Sequence, residues 1–134
     1  MKINVLIFNG YGAPVLSHKL RKLLINEKVS FPLSRIISKE RLKEIKQKAG
    51  EVLDYSRNKT LKEQCQESEN KLLKFSNNQF YFYNENSEYL HPFSIVEVDS
   101  SRPWKIEEYD GAEYIQYLDY VVINEEINYC DYKK

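Results

Sequence analysis

Four carboxylates gather around one predicted turn: Glu107, Glu108, Asp110 and Glu113. Paired carboxylates can trade a proton or hold a hard cation. Asp110-Gly111 is a two-residue hairpin signal, because Gly tolerates positive φ and Asp accepts it better than most residues. Side chains alternate between faces along a strand, so Glu107 and Glu108 are expected to part. No Asp-x-Asp-x-Asp-Gly loop accompanies them, and no metal is expected. The set reads as a solvated edge that keeps sheets from pairing, or as an acidic docking surface.

Other chemistry is thinner. His18 opens a predicted helix beside Lys19, and His91 precedes Pro92 in a predicted loop. Neither has a partner at metal-ligand spacing, and neither pairs with Ser or Cys along the sequence. Cys65 and Cys130 form no CxxC pattern and are expected to be reduced thiols. Asn9-Gly10-Tyr11-Gly12 between a strand and a helix superficially suggests a phosphate loop. It lacks GxxxxGK[ST] and GxGxxG, and Pro14 removes a donor, so a plain strand-to-helix turn is the simpler reading.

The aromatics are the most suggestive set, with 11 Tyr, 6 Phe and 1 Trp. Phe80 to Tyr83, Trp104, Tyr109, Tyr114, Tyr117 and Tyr120 fall on predicted strands. Rings on a sheet can stack nucleobases while Arg or Lys holds phosphates. They also populate protein interfaces and sheet cores. Strict alternation leaves some rings on the solvent face, which a simple core does not require.

The elements that would position these residues can be read in order. Ile3–Phe8 is a short apolar run and a buried strand. Ser17 caps a helix to about Lys28, with Leu16, Leu20, Leu23 and Leu24 as its stripe. Val29–Ile37 is an extended piece. Ser38 caps a second helix carrying Leu42, Ile45, Ala49, Val52 and Leu53 on one face. Leu61, Cys65, Leu72 and Phe75 restart the pattern in another phase. Two antiparallel helices joined near Asn58 are expected, with one long slipped helix as the alternative. Gln79–Tyr83, Glu88–Leu90, Phe93–Val98, Trp104–Tyr109 and Ala112 to about Ile123 then read as strands, with Asn124–Lys134 as a polar tail. The expectation is one α+β domain over residues 1–134: an antiparallel-dominated sheet, two or three helices packed on one face, and the first strand joining the sheet.

Charge is split along the chain. Residues 1–75 hold sixteen Lys and Arg against eight Asp and Glu, while residues 97–131 hold ten acids against Arg102 and Lys105. The formal net charge of +0 hides this segregation, which points to a charged partner. The basic stretch from Lys39 to Lys62 is interleaved with Glu40, Glu44, Glu51 and Glu63, several at i,i+4 spacing. That is a salt-bridged helix face rather than a duplex-binding patch, so no duplex nucleic acid is expected. With 30% charged residues and a mean hydropathy of −0.63, no membrane association is expected. No signal peptide is read at the N-terminus, and a cytoplasmic location is expected.

The stretch Ile95-Val96-Glu97-Val98 followed by Trp104-Lys105-Ile106-Glu107-Glu108-Tyr109-Asp110-Gly111-Ala112-Glu113-Tyr114-Ile115 resembles a segment of small phage and prophage proteins. In these an IVEI-like strand leads into a W-x-I-E-E-Y-D-G-x-E-W/Y-I hairpin. Many also begin with MKI and a Gly-rich turn, as Met1-Lys2-Ile3 and Gly10-Tyr11-Gly12 do here. The resemblance carries no catalytic pattern. It implies a non-enzymatic counter-defence protein acting in the host cytoplasm, without a cofactor. The leading expectation is a homo-oligomer that sequesters a nucleotide-derived immune signal. In it Arg102 meets phosphate, Trp104 and Tyr11 stack on the base, and Asn9 hydrogen-bonds. The alternative is a direct inhibitor that docks on a host defence protein through Glu107, Glu108, Asp110 and Glu113. An enzyme acting on a nucleotide through His18 or His91 is a third reading.

Overall fold

The computed structural model describes residues 1–10, 15–52, 54 and 56–118. Strand β1 (Lys2–Phe8) leads to helix α1 (His18–Leu24), a 3-10 turn (Leu33–Arg35), β2 (Ile36–Ile37) and helix α2 (Lys39–Lys48). Then come β3 (Gly50–Val52), helix α3 (Leu61–Gln66), β4 (Leu72–Ser76), β5 (Gln79–Asn84), β6 (Tyr89–Asp99), β7 (Trp104–Tyr109) and β8 (Ala112–Tyr117). Six strands form one sheet in the order β2-β1-β6-β5-β4-β3, and β7 and β8 form a separate hairpin. All the pairings are antiparallel except β3 with β4. This is the expected α+β architecture.

Alternation along the strands gives the sheet two different faces. Leu6 and Phe8 of β1, Phe80 and Phe82 of β5, and Phe93 and Ile95 of β6 point to one face. There they meet Leu16, Leu20 and Leu24 around α1 and Ile45 of α2. The intervening residues point the other way. Val5, Ile7 and Val98 carry the hairpin through Ile106, Trp104, Ile115 and Tyr117. Leu73, Tyr81 and Tyr83 carry α3 through Cys65 and Leu61. So α1 and α2 share one face, and α3 and the hairpin cover the other.

Local chemistry explains the helix starts. Ser17 Oγ accepts the Leu20 N–H at 3.2 Å, and Ser38 Oγ accepts the Arg41 N–H at 3.1 Å. Thr60 and Glu63 form a reciprocal capping box on α3.

Four expectations are corrected. The first helix ends at Leu24 rather than near Lys28, because Ile25 turns extended and its N–H caps Arg21 O. The stretch 39–75 is not a pair of helices: α2 stops at Lys48, α3 is six residues long, and Gly50–Val52 and Leu72–Ser76 are strands. Glu88–Leu90 and Phe93–Val98 are not separate strands, since β6 runs unbroken through His91-Pro92. His91 therefore lies in a strand, not a loop. Residues beyond Leu118, including Tyr120, Cys130 and the tail, fall outside the described residues, as does Tyr11.

Candidate functional site

The hairpin is where the acidic set lies. Asp110 has φ 54° and Gly111 has φ 89°, as a two-residue turn with both central residues left-handed demands. The register pairs Trp104 with Tyr117, Ile106 with Ile115 and Glu108 with Glu113 on the inward side. Glu107 opposite Tyr114, and Tyr109 opposite Ala112, alternate with these on the outward side. Trp104, Ile106, Ile115 and Tyr117 anchor the hairpin to β1 and β6.

Placing Glu108 directly across from Glu113 sets two negative charges side by side, which disfavours the pairing. Arg35 answers this. Its guanidinium forms two hydrogen bonds to the Glu113 carboxylate, at 2.7 and 3.0 Å. Both side chains are mostly buried, at 12% and 15% exposure. The same groups continue the sheet. Glu113 Oε1 accepts the Phe8 N–H at 2.8 Å, and Arg35 donates to Leu6 O at 3.2 Å. Strand β2 pairs only with Asn4 and Val5, so this ion pair satisfies the β1 edge where β2 has ended. The guanidinium also lies 4.7 Å from the Phe8 ring and 5.3 Å from the Phe31 ring.

What remains open is a groove of about 370 Å³ lined by Phe31, Ile106, Glu107, Glu108 and Glu113. Phe31 in its wall is 55% exposed, and Tyr109 and Tyr114 on the outward side of the hairpin are 76% and 47% exposed. Glu107 meets Lys105 at 3.3 Å on the surface. Glu108 and Asp110 are exposed. Of the four carboxylates, Glu113 is thus committed inside, while Glu107, Glu108 and Asp110 face solvent with two tyrosines.

Of the four residues expected to hold a nucleotide, the three that are described, Asn9, Arg102 and Trp104, do not converge. The Arg102 guanidinium stacks 3.9 Å from the Tyr117 ring. Trp104 is packed against the hairpin core. Asn9 lies at the other end of β1. The register from Lys2–Asp99 to Phe8–Phe93 spans six steps, roughly 20 Å. Asn9 instead lines a groove of about 220 Å³ with Phe75, Gln79, Tyr81, Pro92 and Ser94, where its Oδ1 accepts from Ser94 Oγ at 2.9 Å. None of these residues is a cation.

Residues that could react are held quiet. Burial pushes the Cys65 thiol up to about 12, and its Sγ donates to Lys71 O at 3.0 Å. Burial pulls His91 below the ordinary imidazole value, and its ring stacks 5.0 Å from Phe82. Among the described residues no group of three His, Cys, Asp or Glu side chains could hold a metal ion. None of the described helices is long and apolar enough to cross a membrane.

The sequence pointed to the hairpin and its acids but missed Arg35 and Phe31. Arg35 sits 78 residues from Glu113 in the chain. Its only local signal was an arginine beside Phe31-Pro32 in an otherwise apolar segment. Compared with known proteins, the chain matches no family model, no curated protein and no solved structure.

Proposed function

We propose that this protein acts by binding another protein through the exposed end of the β7–β8 hairpin, around the Asp110-Gly111 turn. The observation that carries this reading is the grouping of exposed rings with exposed acids on one hairpin. Tyr109, Tyr114 and Phe31 stand open beside Glu108 and Asp110, while Trp104, Ile106, Ile115 and Glu113 hold the hairpin from behind. Tyr supplies large contact area at low entropic cost, and interfaces are enriched in it. Exposed carboxylates around the rings steer a basic partner and exclude an acidic one. The partner's chemistry is therefore a segment bearing Lys or Arg next to apolar side chains. In the phage setting implied by the resemblance, that partner is a host defence protein.

Sequestration of a phosphorylated nucleotide has less support. It would need Arg102 free of Tyr117 and a cation near Asn9. The groove at Asn9 suits an uncharged ring better than a phosphate.

The test is fluorescence anisotropy with labelled peptides rich in Lys, Arg and Leu, at low and high salt. Binding is expected to weaken at least tenfold in Glu107→Lys/Glu108→Lys and in Tyr109→Ala, with the fold intact by circular dichroism. Equal affinity of the wild type for acidic peptides of the same length would remove the proposal.

A further inference from the structure

We infer that a second copy of this chain is one such partner, docking its acidic hairpin on the basic α1–α2 face of its neighbour; this rests on the hairpin being a docking surface. The inference comes from which side of the sheet each pole occupies. Helix α1 exposes Lys19 and Lys22 and contains no acid. Helix α2 exposes Lys39 and Lys43 beside Glu40, while Lys48 is paired with Glu44 at 3.0 Å. Both helices pack on the face formed by Leu6, Phe8, Phe82 and Phe93. The hairpin packs on the reverse face, formed by Val5, Ile7 and Val98. With a layer on each side of the sheet, the poles stand on the order of 20 Å apart, far beyond ion-pairing distance. They cannot neutralise one another within a molecule, so each is left to meet the opposite pole of another.

Net charge supplies the second half of the argument. At a formal +0 the molecules do not repel as wholes, and near-zero net charge favours association. The contact is head-to-tail, joining unlike surfaces. One contact leaves a free hairpin on one molecule and a free helical face on the other. Growth therefore continues past a dimer unless a ring closes. A partner with a stronger basic segment would compete with the neighbouring copy for the hairpin.

Sedimentation velocity over a concentration series in about 20 mM and about 500 mM salt tests this, since the Debye length shrinks severalfold between them. The wild type is expected to grow beyond dimer in low salt and to sediment as a monomer in high salt. Glu107→Lys/Glu108→Lys and Lys39→Glu/Lys43→Glu should each be monomeric alone, and should associate when mixed. Glu69→Lys/Glu85→Lys shifts the net charge as the first variant does but lies elsewhere, and should still associate. A wild-type monomer at every concentration, a closed dimer that resists salt, or a Glu69/Glu85 variant as dissociated as the hairpin variant would each overturn the inference. Peptide binding separates the two proposals. The Lys39/Lys43 variant should lose self-association and keep peptide affinity. Peptide affinity unchanged in the hairpin variant would instead remove the docking surface itself.

Discussion

Glu113 does three jobs with one carboxylate: it binds Arg35, accepts the Phe8 N–H and sits opposite Glu108. Removing one partner of a mostly buried pair strands the other, and that penalty dominates the cost. Glu113→Ala should therefore lower stability by about 2–4 kcal/mol. Glu113→Gln keeps an oxygen for the Phe8 N–H and relieves the repulsion with Glu108, so it should cost less than half as much. Urea midpoints for both variants decide this, and equal losses would show that the Phe8 bond contributes little. Cys65 acts on stability through protonation instead. Its thiol is held neutral by burial, moved from an ordinary 9.0 to about 12. An unfolded chain loses that proton above about pH 9, while the folded chain keeps it to about 12. The unfolded state binds fewer protons in that window, so stability falls as pH rises from 9 towards 12. Cys65→Val should flatten this alkaline slope in a series of urea melts. A slope unchanged by the substitution would assign it to other groups.

At the scale of elements, the chain signals its starts and turns more clearly than its middles. Ser17, Ser38 and Asp110-Gly111 each carry a side-chain or φ requirement visible in three or four residues, and each stands where the sequence places it. Leu72 to Phe75 shows the opposite case. Leu72 meets the α1–α2 side and Leu73 meets α3, so this strand is buried on both faces. A strand of that kind has no alternation to betray it and reads as the continuation of a helical stripe. The turn that ends α3 uses Lys71 at φ 56° rather than Gly or Pro, which removed the other cue. The acidic hairpin was legible because its turn and alternation are local. Its clamp was not, because Arg35 and Phe31 reach it only through the tertiary fold. The solvent-facing rings expected from alternation are Tyr109 and Tyr114, while Tyr83 is buried under α3.

Across the whole molecule, the attachment of the hairpin sets how its docking surface behaves. Among the described residues the hairpin shares no backbone ladder with the six-stranded sheet. It is held by the Trp104–Ile106–Ile115–Tyr117 cluster, by Glu113, and by the Asp99 N–H donated to Tyr117 Oη at 2.9 Å. Strand β1, by contrast, pairs with β6 along its full length, and β6 pairs with β5 as well. Elements joined by side chains alone open at lower free energy than those inside a ladder. Native-state hydrogen exchange should therefore show β7 and β8 opening before β1, β5 and β6. Glu113→Gln should speed exchange within Lys105–Gln116 by roughly tenfold, equivalent to about 1.4 kcal/mol, while β5 and β6 keep a higher opening free energy than the hairpin. Exchange at one common free energy across hairpin and sheet would mean that the molecule opens only as a unit. The hairpin would then be a rigid extension of the core, and binding a basic partner could not stabilise it separately from the sheet.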